Sequence, residues 1–134
     1  MNVKFEFATA TRIVFGAGSV KKIGAFVQGL GQNVLVVSGR TPQRAEFLLE
    51  LLRRAPGITA GPTFSVPGEP TLSVVAHGVA TARLAGCDAV IAIGGGSAID
   101  AGKAISAMLT NEGELLDFVE VIGRGRTLTN PPAP

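Results

Sequence analysis

An apolar run, "DAVIAI" at residues 88–93, passes into three consecutive glycines, Gly94, Gly95 and Gly96, and then into "SAIDAGKAIS", whose apolar residues recur at helical spacing. A short run rich in valine and isoleucine reads as a strand covered by the rest of a sheet, and glycines directly after it let the backbone turn tightly into a helix. Few folds admit this order. It puts a strand-to-helix turn at the carboxyl end of an apolar strand, where open α/β sheets bind their ligands.

The rest of the chain has the same grammar. Ser19 is a plausible N-cap for a helix whose apolar positions are Val20, Ile23, Phe26, Val27 and Leu30, with Gly31 as its stop. "NVLVVSG", from Asn33 to Gly39, reads as a strand buried on both faces. Pro42 then opens a second helix, with Phe47, Leu48, Leu51 and Leu52 inward and Arg53 and Arg54 at its end. Pro62 to Val66 predicts a further strand, and Leu72, Val75, Val79 and Ala82 mark a third helix that ends near Gly86. Strands that alternate with helices in this way predict an α/β fold: a three-layer, open, mostly parallel sheet with helices on both faces. Alternation in "KFEFATATRIVFG" adds an N-terminal edge hairpin, Val3 to Phe7 and Arg12 to Phe15. Beyond Leu109 the pattern weakens; "LLDFVE" reads as a short helix and "VIGRGRTLTNPPAP" as an exposed connector. At 134 residues the chain is expected to form one domain, residues 1–134, either excised from a longer protein or read from a truncated frame.

Composition narrows the function classes. The formal net charge is +2, with twelve Lys and Arg scattered along the chain, and Tyr and Trp are absent. The scattered charge forms no basic stripe and seven Phe leave few stacking platforms, so RNA binding is a minor alternative and no nucleic-acid partner is expected. No stretch approaches the ~18 uncharged apolar residues of a membrane span, and the N-terminus lacks a secretory signature, so a cytoplasmic protein is expected. Cys87 is the single cysteine, which excludes an intramolecular disulfide and a cysteine-based zinc cage. It reads as a small buried residue.

Two glycine turns compete as phosphate cradles. "FGAGSVK" supplies Gly16 and Gly18, but Lys21 stands where a dinucleotide fingerprint needs its third glycine, so this stretch reads as a tight turn into a helix. Gly94, Gly95, Gly96 and Ser97 are better placed. Glycines let a phosphate approach the backbone, the free N–H groups of the following helix face it, and Ser97 adds a hydroxyl. The order of a P-loop is missing, since Lys103 comes two turns into the helix. Asp100 and Lys103 share a helix face and read first as a surface pair. Gly102, costly in a helix by ~1 kcal/mol, signals a close neighbouring backbone.

"GGGSAIDAGKAIS" closely resembles the G-G-G-S-x-x-D-x-A-K segment of the iron-containing, or group III, alcohol dehydrogenases, whose fold is shared with dehydroquinate synthase. "RIVFGAGSVKKIG", "NVLVVSG", "PGEPTLSVVAHGVATARLAGCDAVIAIGGGS" and "NPPAP" follow the family's order, so the resemblance spans nearly the whole chain. It implies a cofactor-binding N-terminal domain in which Gly94, Gly95, Gly96 and Ser97 hold the pyrophosphate of NAD or NADP, with Asp100 near the cofactor or shaping the loop. NAD-preferring members place an aspartate where Gly39 stands. Its loss removes a carboxylate that would repel a 2′-phosphate, so Ser38, Gly39 and Arg40 are expected to accommodate NADP(H).

The resemblance also implies what must come from elsewhere. Group III enzymes polarise a small alcohol or aldehyde with a divalent metal, iron or zinc, held by one aspartate and three histidines of a helical C-terminal domain, and their threonine-rich hinge would follow Pro134. This chain has one histidine, His77, which lies off the apolar face of its helix. No metal ligand and no catalytic acid or base is therefore assigned, and the chain alone is expected to be inactive. Glu69 and Pro70 are placed by resemblance toward the nicotinamide side. The expected partners are the dinucleotide and, in the whole enzyme, a small alcohol or aldehyde, with a homodimer possible. A glycerol or glycerol-1-phosphate dehydrogenase domain and a non-catalytic nucleotide-binding module are the alternatives.

Overall fold

Three parallel strands, β1 (Asn33–Ser38), β2 (Thr59–Ser65) and β3 (Ala89–Ile93), form a sheet in the order β2-β1-β3 in the computed structural model, which describes residues 12–134. β1 is the spine. Its Val34, Leu35, Val36 and Val37 are each fully buried because ladders run on both of its sides and helices cover both of its faces. Side chains alternate along a strand, so these valines and leucine supply two cores at once. Val34 and Val36 pack with Val27, Ala45, Leu48 and Leu52 on one face. Leu35 and Val37 pack with Phe64, Val75, Val79, Ala82 and Ile105 on the other. The result is the expected three-layer α/β sandwich. Helices α1 (Ile23–Val27) and α2 (Glu46–Arg53) cover one side, and α3 (Leu72–Leu84) and α4 (Gly96–Leu109) the other.

Several expectations are corrected in detail. The first half of the proposed hairpin, Val3–Phe7, lies outside the described residues; Arg12–Phe15 forms no strand, and Ile13 and Phe15 are exposed, so its alternation has no covered side among the described residues. Ser19 is not an N-cap. Gly18, in the left-handed region at φ 75°, precedes a 3₁₀ turn, Ser19–Lys22, that leads into α1. That helix ends at Val27, and the left-handed residue after it is Gly29 (φ 82°), not Gly31. Gly31 instead lets the chain pass close to β3: a Cβ there would fall 2.6 Å from the Cβ of Ala89. Phe47 and Leu72 were expected inward but are exposed at 49% and 38%; α2 buries Leu48 and Leu52, and α3 buries Val75, Gly78, Val79 and Ala82.

Strand β2 begins three residues earlier than its sequence suggests. Val34 pairs with Ala60 but Val36 with Thr63, so an extra residue is absorbed around Gly61 and Pro62. Pro62 has no N–H to offer a ladder, and a bulge on the strand at one end of the β2-β1-β3 order is where such a residue is tolerated. Thr71 caps α3, its hydroxyl accepting from the Val74 N–H at 3.2 Å. Gly102 on α4 does sit against a neighbouring strand, since a Cβ there would lie 2.8 Å from that of Ala92 on β3.

The C-terminal stretch is held more firmly than its sequence implies. A short helix, α5 (Leu115–Phe118), forms as expected, with Glu114 and Asp117 in a reciprocal capping box. Residues 129–134 then return to the domain around one buried side chain. The Asn111 carbonyl oxygen accepts from the N–H groups of Thr129 (2.8 Å) and Asn130 (2.9 Å), while its amide donates to the oxygens of Ala107 (2.8 Å) and Asn130 (3.0 Å). The Val90 N–H on β3 donates to the oxygen of Pro134 at 2.8 Å.

Candidate functional site

Parallel strands present their carboxyl ends at one edge, so the segments after β1, β2 and β3 meet there. β1 leads through α2 to β2 on one side; β2 then crosses over β1, with α3 on the opposite face, to reach β3 on the other side. The connections thus diverge between β1 and β3, which makes the crevice at their ends a topological switch point. Gly39, Arg40, Val66, Pro67, Gly68, Gly95, Gly96, Ser97 and Ala98 line a crevice of about 240 Å³ at this point. A larger, mainly apolar cavity of about 610 Å³ lies among Val14, Val20, Ile23, Phe26 and Leu30, with Arg12 and Ser19 as its polar lining, and no strand end reaches it. The chemistry favours the smaller crevice.

Its floor is backbone. Gly94, at φ 146°, makes the turn and packs beside Gly39, while Gly95 is the extended residue ahead of α4. The Ile99 N–H, bonded to the Gly95 oxygen at 3.1 Å, is the bond that closes the first turn. The amides of Gly96, Ser97 and Ala98 precede it, without carbonyl partners inside the helix, and carry the positive end of the α4 dipole. A Cβ added at Gly95 or Gly96 would meet nothing within 4 Å. The space a side chain would fill is open, which is the fit a phosphate group needs.

The walls come from the other two strand ends. The Arg40 Nε donates to the Pro67 oxygen at 2.9 Å, fixing the guanidinium against the β2 loop, and its other N–H groups make no hydrogen bond among the described residues. Gly39 has open space where a Cβ would stand. The Ser65 hydroxyl donates to the Gly39 oxygen at 3.0 Å, and the Val66 N–H to the Ser38 oxygen at 2.8 Å, so the β1 and β2 ends are stitched together. Across the crevice, the Ser97 hydroxyl reaches the Glu69 carboxylate at 3.5 Å.

Of the residues singled out from sequence, Gly39, Arg40, Gly95, Gly96 and Ser97 therefore line one crevice. The others do not. Ser38 is buried on the same strand face as Val34 and Val36, its hydroxyl without a hydrogen-bond partner. Gly94 shapes the turn beneath the crevice, and Asp100 lies one turn further along α4, exposed and 3.6 Å from Lys103. Val66, Pro67, Gly68 and Ala98 were not foreseen as lining residues, although parallel topology alone carries the end of β2 to this edge. His77 is exposed on α3, with its ring edge-on to Phe64. Cys87 is half-buried; burial and, less, the charge of Asp88 push its thiol up, away from the reactive thiolate. Among the described residues no group of three or more His, Cys, Asp or Glu side chains comes together to hold a metal, and no helix is long and apolar enough to cross a membrane.

A family model described as iron-containing alcohol dehydrogenase matches residues 10–134. The chain belongs to the iron-containing alcohol dehydrogenase family. Among its relatives in that family, a 4-hydroxybutyrate dehydrogenase of Cupriavidus necator is 32% identical over 133 residues, covering 96% of this chain and 33% of the relative. A probable NADH-dependent butanol dehydrogenase of Bacillus subtilis (strain 168) is 34% identical over 119 residues, covering 86% of this chain and 30% of the relative. The crystal structure of a 1,3-propanediol oxidoreductase superposes with a TM-score of 0.85 at 31% identity, over 98% of this chain and 34% of that one. The chain thus spans about a third of the length of these iron-containing alcohol dehydrogenase relatives.

Proposed function

We propose that this chain is the cofactor-binding part of an NAD(P)(H)-dependent alcohol dehydrogenase or aldehyde reductase. One observation carries the reading: three strand-end segments converge at a switch point on a crevice with a glycine floor that faces the leading amides of α4. A crevice of about 240 Å³ is smaller than the ~300–1,000 Å³ of whole-ligand pockets, so it suits the phosphates of a dinucleotide better than the entire molecule. A bound nicotinamide cofactor supplies the hydride donor or acceptor for a small carbonyl or alcohol. This chain's own residues bind and orient it: the amides of Gly96, Ser97 and Ala98 take the pyrophosphate, and the Ser97 hydroxyl adds a donor. The metal and the groups that handle the substrate proton belong to the remaining two thirds of such an enzyme.

We further propose that Gly39 and Arg40 favour the 2′-phosphate of NADP(H), although relatives such as the Bacillus subtilis enzyme are described as NADH-dependent. A carboxylate at position 39 would stand against that phosphate with a repulsion of roughly 4 kcal/mol per unit charge at ~4 Å and an effective dielectric near 20. Glycine has none, and Arg40 is already anchored at the crevice wall by the Pro67 oxygen. A charge-assisted hydrogen bond from it is worth ~1.5–3 kcal/mol. Titration with NADPH and NADH tests this. NADPH should bind more tightly to the parent chain, and Gly39→Asp should reverse the order; equal or tighter NADH binding by the parent sinks the preference.

A further inference from the structure

Glu69 sits in the segment between β2 and α3, exposed, and the crevice wall contacts that segment at two points. On one side the Arg40 Nε holds the Pro67 oxygen at 2.9 Å; on the other the Ser97 hydroxyl reaches a Glu69 carboxylate oxygen at 3.5 Å. The segment therefore spans the mouth between the end of β1 and the first turn of α4. It carries a negative charge to the place where unpartnered amides and the helix dipole favour an anion.

We propose that Glu69 is an internal competitor for the phosphate cradle, a carboxylate within reach of Ser97 that must leave before a pyrophosphate can seat. The inference rests on the reading of the crevice as a phosphate site. Two like charges cannot share one hydroxyl and one helix N-terminus without repulsion, and at contact range they lie well inside the ~8 Å over which salt screens charges. Ser97 is then the contested group: its single O–H donates either to Glu69 or to the incoming phosphate, not to both. Arg40 does not pair with Glu69. Its Nε bond goes to a backbone carbonyl, and no ion pair joins the two residues among the described contacts. Glu69 therefore sets the affinity and selectivity of the cradle for anions by opposing them.

The test compares the parent chain with Glu69→Gln by calorimetric titration against inorganic pyrophosphate and against NADPH. Glutamine keeps the size and can still accept from Ser97, while the charge is gone. Glu69 is exposed and outside both cores, so the fold should be kept; circular dichroism of the variant verifies it. Tightening of both ligands by about three- to tenfold is expected. Equal or weaker binding by Glu69→Gln, with the parent binding both ligands, overturns the role of Glu69 and leaves the cofactor reading standing. A parent chain that binds neither ligand overturns both.

Discussion

Gly78 of α3 lies so close to Ile105 of α4 that a Cβ on it would fall 2.4 Å from the Ile105 Cδ1 and 3.1 Å from the Cε1 of Phe64. The two helices cross at this missing side chain. Ile105 is fully buried and cannot move aside without displacing the core around Leu35 and Val37. Gly78→Ala should gain ~1 kcal/mol of helix propensity but lose ~1–3 kcal/mol to overpacking. Urea unfolding should show a net loss of about 1 kcal/mol, with the denaturant slope unchanged.

Gly95 offers the opposite experiment. Its backbone, at φ −83° and ψ −167°, suits any residue, and a Cβ there would touch no protein atom. Gly95→Ala should therefore lower stability by no more than about 1 kcal/mol, the usual difference between glycine and alanine at a helix N-cap. Under the proposed function, its methyl would occupy the space that phosphate oxygens take. Binding of pyrophosphate and of NADPH should fall by about tenfold, roughly 1.4 kcal/mol, while the melting temperature shifts by only a few degrees.

Asn111 holds the returning chain by both ends of its amide. Asn111→Ala leaves the Thr129 and Asn130 N–H groups without their partner, and such buried losses cost ~1–3 kcal/mol. The expected outcome is a lowered midpoint together with faster amide exchange at Thr129, Asn130 and Val90. Exchange at Val36 and Val37, in the spine of the sheet, should then differ only through global unfolding.

Asp117 is the acid-sensitive point of the same region. Burial pushes its carboxyl up, but the Glu114 backbone bond and the Arg124 and Arg126 guanidiniums outweigh this and hold it below the usual carboxylate range. Because the folded pKa is below the unfolded one, near 4, the contribution is complete above that value and disappears as pH falls through the folded value. Between pH 5 and pH 3 the parent chain should lose more stability than Asp117→Asn. Thermal melts of both proteins at half-unit steps of pH measure it.

The layered fold was legible because its signal is periodic: β1 is an unbroken apolar run, and α3 and α4 repeat at helical spacing. The glycine crevice was legible because the strand, the turn and the helix that form it are adjacent in sequence. What escaped was set by contacts between distant segments. Ser38 and Gly39 are neighbours in the chain, yet strand alternation buries the hydroxyl of one and leaves the other at the crevice. Phe47 and Leu72 carry the right hydropathy for a core, but the way α2 and α3 seat on the sheet turns Leu48 and Leu52, and Val75 and Val79, inward instead. The β2 segment around Pro67 and Glu69 has no motif of its own. It acquires its place from Arg40 and Ser97, respectively 27 and 28 residues away from their partners. The polar-looking end of the chain read as loose because nothing local reveals that a buried Asn111 awaits it.

Gly102 gives the crevice its elevation. α4 rests on β3 at the distance that its absent methyl permits, and the mouth of the phosphate cradle is the front end of that same rigid rod. A larger residue there would lift the rod from its bed and tilt the leading amides relative to Gly39 and Arg40, without touching any group that meets the ligand. If the crevice holds a phosphate as proposed, its affinity is tuned from behind, by the thickness of a seam two turns away, and a change at the seam would be mistaken for a change in the pocket.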